Sequence, residues 1–353
     1  MNKILPYLKL KNLYTNNFMN NGYEIILKRN HPDIFWRLFQ SLKLNYKYIG
    51  ARYDPVVIDY FFLRASDSDY SIIDYSCIFA FDGKPYSAFL GALFSKEDKS
   101  ELSLFEMPCM AIDALNLSLS KKKQINLYFN ELCMLKFNSF KVKGPDFFNK
   151  FPVICESLLR LNGKIKYCFN KTIDLTNQLV DIKKGIRKSY HSLINRGMRE
   201  LNIELYDKEN ITWKILESFR KLHIEESKRI TRSIGTWEKQ YEAIKDGKAF
   251  CITAELENNL VSASYFICTY NSCYYGSSAS KRSLFDKPLN HAIVWKAILE
   301  CKNKNFLLFD LGETYKNESN GYFTEKESNI AYFKEGFGGN LTLNYFIMAP
   351  NNE

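Results

Sequence analysis

The sequence contains few residues that interrupt regular structure, with 16 glycines and nine prolines among 353 residues. Long disordered segments are therefore not expected, because such segments are usually enriched in these residue types. No stretch reaches the ~18 consecutive apolar residues of a membrane-spanning helix, and residues 1–15 lack the apolar core and cleavage site of a signal peptide. These absences predict a cytoplasmic protein without a transmembrane segment.

The cysteines and histidines do not form recognisable clusters. The nine cysteines include no C-x-x-C pair, and most of them lie among apolar residues. That distribution is typical of reduced, buried thiols and not of a disulfide framework. The histidines lie far apart in the sequence, and none has the spacing of a metal ligand. We therefore expect no metal site.

The charge balance is positive, with 49 Lys and Arg against 39 Asp and Glu, for a net charge of +10. An excess of this size favours anionic partners, namely phosphates, nucleotides, RNA or lipid headgroups, and it is compatible with peripheral contact with a membrane. The chain length and the hydrophobic fraction of 46% are sufficient for two globular domains.

Apolar periodicity and turn residues predict the same order of elements twice along the chain. Each half reads strand, helix, helix, three strands, helix, strand, helix and strand. In the first half, the turn at Asp82 and Gly83 predicts a hairpin between strands at 72–81 and 86–94. The predicted fold class is α/β (α+β), with two tandem domains that each contain a mixed sheet flanked by helices.

The segment from Lys183 to Arg199 contains six basic residues and no acidic residue. Apolar residues recur through it at helical spacing, which predicts one amphipathic helix that docks by its apolar side. The other side would present a basic surface formed by Lys184, Arg187, Lys188 and His191. That surface suits a pyrophosphate or an RNA backbone, although a solvated basic face without a ligand explains the same pattern.

The stretch from Asp310 to Gly339 is the strongest candidate for the reactive site. An apolar strand at 306–309 is predicted to end at Asp310, and a short helix at 328–335 to carry Phe333 and Lys334. Polar residues at strand ends and on long loops often form functional sites. A strand, a surface loop and a capped helix without any site would give the same pattern.

The order of elements is that of GNAT acyltransferases, and two such units in one chain resemble the FemABX-like branch of that superfamily. The residues that carry the resemblance lie in the second half: Arg187, Arg196, Gly197, Phe219, Leu222, His223, Trp237, Tyr275, Gly276, Pro288, Trp295, Asp310, Leu311, Gly312, Phe333, Lys334, Gly338 and Gly339. The resemblance implies a degenerate GNAT-like domain at 1–175 and a second GNAT-like domain with the active site at 176–353. It also implies transfer of an acyl or aminoacyl group to an amine of a cell-envelope precursor.

The resemblance implies catalytic roles for three residues. Lys334 would face the reaction centre and neutralise the charge that develops on the leaving oxygen of the donor. The strands at 273–277 and 306–310 would separate and expose backbone N–H groups to an oxyanion. Asp310 or Glu313 would take the proton from the attacking ammonium. Capping or turn acids and a solvated helix lysine are the alternative interpretations of these side chains.

Further residues are predicted to bind the substrate. Arg187 matches the arginine that the family has at the start of the basic segment. Tyr274 and Tyr275 are neighbours on a strand, so only one of them can face the cleft, and Tyr275 is part of the family motif. Phe333 would contact the substrate beside Lys334, with core packing as the alternative interpretation. His291 lies in the first turn of the helix after Pro288 and would line the site of the donor's pyrophosphate, with core or surface placement as the alternative.

The connection at 281–288 contains no glycine. GNAT enzymes that use coenzyme A usually have a glycine-rich loop here, whose backbone N–H groups hold the pyrophosphate at the start of a helix. The departure favours aminoacyl-tRNA, the donor used in much of the FemABX branch, over acyl-CoA. The side chains of Lys281 and Arg282 could still hold a pyrophosphate. No tightly bound cofactor is expected with either donor.

The resemblance therefore implies an N-acyltransferase that acts on a phosphate-bearing precursor of an envelope polysaccharide or of peptidoglycan. The acceptor amine would belong to a nucleotide- or lipid-linked amino sugar or to a stem peptide, and tRNA would be a partner if it carries the donor group. Two alternatives remain: a non-catalytic RNA- or phosphate-binding protein on the same scaffold, and an acyl-CoA-dependent N-acetyltransferase.

Overall fold

The computed structural model describes residues 22–46, 49–135, 137–145, 151–316 and 323–349. The chain forms two compact units. The first unit contains Ala65–Lys166, with described residues before Gly50 and after Asn344. The second unit contains Gly50–Arg64 and Tyr167–Asn344. A short segment from the first half of the sequence thus belongs to the second unit.

The regular elements are numbered in chain order. The strands are β1 Tyr23–Leu27, β2 Ser71–Asp74, β3 Cys77–Phe81, β4 Lys84–Leu90, β5 Ala92–Lys96, β6 Lys99–Ser103, β7 Cys109–Asp113, β8 Ser139–Lys143, β9 Lys164–Asp174, β10 Asn202–Tyr206, β11 Ala249–Leu256, β12 Asn259–Cys268, β13 Ser272–Ser280, β14 Leu308–Lys316 and β15 Asn340–Met348. The helices are α1 Pro32–Lys43, α2 Pro55–Asp67, α3 Leu119–Cys133, α4 Val153–Arg160, α5 Leu179–Gly185, α6 Lys188–Glu200, α7 Trp213–Ser227, α8 Ile234–Lys245, α9 Leu289–Asn303 and α10 Glu325–Glu335. Short 3-10 helices occupy Ala51–Tyr53 and Arg282–Leu284.

The first unit has a sheet with the strand order β1–β3–β4–β7–β8, which is antiparallel except that β7 and β8 run parallel. Strands β2, β5 and β6 form a second arm, and β6 joins β8 in parallel. The prediction of two continuous strands at 72–81 and 86–94 is wrong, because the two halves of each belong to different arms. The second break falls at Gly91, where a Cβ atom would lie 2.5 Å from the Sγ atom of Cys109.

The second unit has the strand order β9–β14–β13–β12–β11–β10, antiparallel except for the parallel pair β13 and β14. Successive residues of β11 face opposite sides of the sheet. Phe250 and Ile252 pack with residues of α6 and α9, whereas Cys251 packs with residues of α7 and α8. The sheet is therefore covered by helices on both faces, which holds its strands in a fixed frame.

The basic segment forms two helices, α5 and α6, and the prediction of a single helix is wrong. The break lies at Ile186 and Arg187, where the Arg187 backbone N–H donates to the carbonyl oxygen of Gly336 at 2.9 Å. Gly338 lies against the same break, because a Cβ atom there would be 2.2 Å from the carbonyl oxygen of Gly185. The break was missed because the segment that causes it lies far along the chain.

Strand β14 starts later and ends later than predicted. It runs from Leu308 to Lys316, so Asp310 lies inside the strand and the prediction that it follows the strand is wrong. The strand continues because it pairs with β9 beyond Asp310, with an irregular register between Asp310 and Gly312. Gly312 has a φ angle of 84°, a conformation that glycine adopts without the strain of a side chain.

The described residues contain no helix that is long and apolar enough to cross a membrane. The nine cysteines lie in this part of the chain as free thiols, and eight of them are buried. Burial raises the pKa of Cys251 to about 12, so this thiol stays protonated at neutral pH. In the same part of the chain, no group of three or more His, Cys, Asp or Glu side chains could hold a metal ion.

Candidate active site

Strands β13 and β14 separate in the middle of the second unit's sheet. Their parallel pairing covers Ser272 with Leu308, Cys273 with Phe309, and Tyr274 with Asp310. Beyond Tyr274 and Asp310 the two described strands continue to Ser280 and Lys316 without pairing to each other. The predicted separation of these strands is therefore confirmed, and Tyr274 and Asp310 mark the point where it begins.

The Asp310 carboxylate accepts hydrogen bonds from Asn170 and from the Gly312 backbone. Asn170 on β9 donates from Nδ2 to Oδ2 at 3.1 Å and to Oδ1 at 3.3 Å. The backbone N–H of Gly312 donates to Oδ1 at 2.7 Å. The Asn170 Oδ1 atom is buried and has no hydrogen-bond partner among the described residues. Asn170 thus orients Asp310 and leaves one acceptor unused beside it.

Lys334 lies in the last turn of α10, and its Nζ donates to the carbonyl oxygen of Glu313 at 3.0 Å. A Cβ atom on Gly312 would lie 3.1 Å from this Nζ and 3.3 Å from the hydroxyl oxygen of Tyr274. Lys334, Tyr274 and Asp310 therefore meet around Gly312. Burial lowers the pKa of Lys334 to about 8, and this effect outweighs the opposing influence of the Asp310 carboxylate. Lys334 remains mostly protonated at neutral pH.

Arg52 adds a second cation beside Tyr274. It lies on the 3-10 helix Ala51–Tyr53, which belongs to the second unit. Its guanidinium donates to the hydroxyl of Tyr274 and lies 4.8 Å from the centroid of that ring. The positive charge of Arg52 also contributes to the lowered pKa of Lys334. No motif around Arg52 in the sequence indicated this contact.

The two neighbouring tyrosines of β13 lie in different surroundings. Tyr275 stacks on Phe266 with ring centroids 5.4 Å apart and packs against the core of the second unit. Tyr274 is the tyrosine beside Asp310 and Gly312. The alternation of side chains along β13 explains the difference.

Phe333 and His291, both predicted to bind substrate, belong to an aromatic cluster with Tyr190 and Phe337. The His291 ring lies 4.5 Å from that of Tyr190 and 5.2 Å from that of Phe333. Burial lowers the pKa of His291 to about 4, so the ring is neutral at physiological pH. The cluster packs the C-terminal half of α10 and thereby fixes the helix that carries Lys334.

The predicted phosphate-binding residues Arg187, Lys188 and His191 lie together at the start of α6. The Arg187 guanidinium lies 4.0 Å from the ring centroid of Tyr332, and Lys188 is exposed. The His191 Nε2 atom lies 3.1 Å from the carbonyl oxygen of Ile186. No side-chain contact joins these three residues to Asp310 or Lys334 within the described chain.

No protein-family model and no curated protein matches the sequence. Several solved structures are similar in fold. FemX has a TM-score of 0.58 at 12% identity, over 81% of this chain and 90% of that chain. The C-terminal domain of a putative lysylphosphatidylglycerol synthetase from Agrobacterium fabrum has a TM-score of 0.56 at 9% identity, over 90% and 92%. A tandem GNAT protein from the clavulanic acid biosynthesis pathway has a TM-score of 0.53 at 10% identity, over 94% and 100%.

These similarities define the class of fold. The chain has a tandem GNAT fold, which it shares with FemX, and the predicted fold class and the predicted FemABX-like relationship of fold are confirmed.

Proposed function

We propose that the protein transfers an acyl or aminoacyl group to a primary amine, with the chemistry at the separation of β13 and β14. The observation that carries this proposal is the half-buried Lys334 beside Asp310 at that point. A fixed cation can stabilise the oxyanion that forms in acyl transfer, and a fixed carboxylate can take the proton from the attacking amine. The acceptor is a phosphate-bearing amino sugar or a peptidoglycan stem peptide of the cell envelope.

The proposed step forms one bond and breaks another. The amine nitrogen attacks the carbonyl carbon of the donor, which gives a tetrahedral intermediate with a negative oxygen and a positive nitrogen. The Lys334 ammonium stabilises the negative charge, and the Asp310 carboxylate takes the proton from nitrogen. The bond between the carbonyl carbon and the leaving oxygen or sulfur then breaks, and the leaving group departs with that proton.

Asn170 has two parts in this proposal. Its Nδ2 group holds the Asp310 carboxylate in one orientation. Its unused Oδ1 atom can accept an N–H of the incoming amine, since it is buried without a partner among the described residues. Glu313 contributes its backbone carbonyl, which positions Lys334. These contacts of Asp310 support it over Glu313 as the base in this proposal.

For the donor we propose aminoacyl-tRNA, with acyl-CoA as the second candidate. The connection before α9 contains a short 3-10 helix at Arg282–Leu284 and no glycine. Its Arg282 backbone N–H is already bonded to a carboxylate oxygen of Glu226 at 3.1 Å. That N–H is therefore engaged, which argues against a pyrophosphate cradle of backbone N–H groups here.

The test uses purified protein and a fraction of nucleotide- and lipid-linked precursors extracted from the cell envelope. Mixed aminoacyl-tRNA or acetyl-CoA is supplied as donor, and products are analysed by mass spectrometry. We expect one defined mass increase on an amine-bearing precursor, absent with Lys334→Ala and retained with Lys245→Ala, an exposed lysine on α8. No product with either donor, combined with RNA binding that weakens steeply with salt, would instead support the RNA-binding alternative.

A further inference from the structure

Arg232 lies in the connection between α7 and α8, outside the site described above. Its guanidinium stacks on Trp237, 3.8 Å from the ring centroid. One terminal nitrogen donates to the Tyr60 hydroxyl at 2.7 Å, and the other donates to Oε1 of Gln240 at 3.0 Å. All four residues belong to the second unit. The side chain is therefore fixed in one orientation by three neighbours, and none of those neighbours is an anion.

The positive charge of Arg232 is not compensated within the described chain. Its Nε atom is buried and has no hydrogen-bond partner there, and no carboxylate of the described residues forms an ion pair with it. The arginine that influences its pKa is another cation, Arg64. Burial and the Arg64 charge both lower the pKa of Arg232, whereas Tyr60 opposes them.

Burial of a cation without a counterion costs free energy, and contact with an aromatic face offsets only part of that cost. A guanidinium has five N–H groups, of which Arg232 uses two with protein acceptors. The remaining donors include the Nε–H, and adjacent N–H groups of a guanidinium match the oxygens of a carboxylate or phosphate. The unused N–H donors and the uncompensated charge of this side chain therefore suit an oxyanion.

We propose that Arg232 forms an anion-binding subsite for a carboxylate or phosphate group of a ligand. Residues 50–64 connect this subsite to the candidate active site, because the same segment supplies Tyr60 to Arg232 and Arg52 to Tyr274. The assignment of this anion to the acceptor rests on the proposed function, in which the acceptor bears phosphate or carboxylate groups. The acceptor would then carry an oxyanion in addition to its reactive amine.

The test is a titration of 15N-labelled protein followed through the Nε–H signals of its arginine side chains. Inorganic phosphate and acetate are added separately at constant ionic strength, with chloride as the replaced ion. The Arg232 signal is identified by its loss in Arg232→Lys, or by its displacement in Tyr60→Phe if the first variant does not fold. We expect a saturable shift of this signal with at least one of the two anions.

Arg220 on α7 is the internal control, because its Nε is already paired with Glu217 at 2.6 Å. Its Nε–H signal should show no saturable shift with either anion. If the shift of the Arg232 signal saturates at a lower concentration of phosphate than of acetate, the anionic group of the ligand is a phosphate. The reverse order identifies a carboxylate. No saturable shift with either anion, or the same shift at Arg220, would overturn the proposal. Since neither donor nor acceptor is present, this result is independent of whether the protein is a transferase.

Discussion

The two units contain the same parallel strand pair but use the polar groups beside it differently. In the first unit, β7 and β8 pair at Cys109 with Val142 and at Met110 with Lys143. Asp113 at the end of β7 accepts from Ser87 at 2.6 Å and from the Val153 backbone N–H at 2.7 Å, where α4 begins. The Asp113 carboxylate thus accepts the first N–H of α4 and bonds the neighbouring strand β4 through Ser87.

In the second unit, the equivalent pair β13 and β14 leaves polar groups available. The carboxylate of Asp310 is oriented by Asn170, whose Oδ1 atom has no partner among the described residues. The following helices differ in the same way. Arg160 is the last residue of α4, and its side chain is 78% exposed. Lys334 lies in the last turn of α10, and its Nζ donates to the carbonyl oxygen of Glu313 on β14. One framework thus serves stability in the first unit and, in our proposal, chemistry in the second.

Removal of the Lys334 ammonium from the second unit should have the largest effect on kcat. Lys334→Ala is expected to lower kcat by roughly 10²–10³-fold, the range for loss of one group that stabilises an oxyanion. The matched variant in the first unit, Arg160→Ala, should leave kcat unchanged, because its side chain points to solvent. Rates would be measured at saturating acceptor. Equal losses in both variants would remove the distinction between the units.

The pH dependence should report the same lysine. The protonated form of Lys334 is the active form in our mechanism, and burial lowers its pKa to about 8. We therefore expect kcat to be level below that pH and to fall about tenfold per pH unit above it. Lys334→Arg keeps its charge and should move the fall to higher pH. A rate that rises through pH 8 would instead mean that Lys334 acts as a base.

Filling the space at Gly312 should have an intermediate effect. Gly312→Ala places a Cβ atom 3.1 Å from Lys334 Nζ at a φ angle of 84°, so we expect about tenfold lower kcat and roughly 1–2 kcal/mol less stability. Gly185→Ala is the control, since a Cβ atom there meets nothing within 4 Å. Urea unfolding and initial rates would be measured for both variants. Unchanged kcat in Gly312→Ala would show that Lys334 and Tyr274 need not lie so close.

Loss of the amide beside Asp310 should have the smallest effect. Asn170→Ala removes one donor that orients the carboxylate, whereas the Gly312 backbone N–H still holds it. We therefore expect kcat to fall by about three- to tenfold, the value of one ordinary hydrogen bond. Asn138→Ala, in the first unit, removes a bond to the Ser100 backbone N–H and should leave kcat intact. If both variants behave alike, Asn170 has only a structural role.

Local patterns in the sequence predicted the order of elements in the second unit and the position of Lys334 on a short helix, whereas the separation of β13 and β14 was predicted from the resemblance to the FemABX-like branch. The first two features depend on apolar spacing and turn residues close in the chain. The contacts of Arg52 with Tyr274 and of Asn170 with Asp310 were missed, because they join residues 222 and 140 positions apart. Neither residue lies in a pattern that marks it as a partner.

The errors in the elements have the same origin. The basic segment is divided by Gly336 and Gly338, which reach it from the far end of the second half. Strand β14 extends past Asp310 because β9 offers it a partner. Periodicity describes which face of a segment is buried, whereas the length of a strand and the end of a helix depend on neighbours brought by the fold.

The most direct test compares cells that carry the native gene, Lys334→Ala or Arg160→Ala. Mass spectra would be taken of envelope glycans and of their nucleotide-linked precursors, with equal amounts of each protein confirmed. Our account predicts that one defined acyl or aminoacyl mass disappears from an amine-bearing component in Lys334→Ala and persists in Arg160→Ala. Identical spectra in all three strains would contradict the assignment of acyl transfer to the second unit.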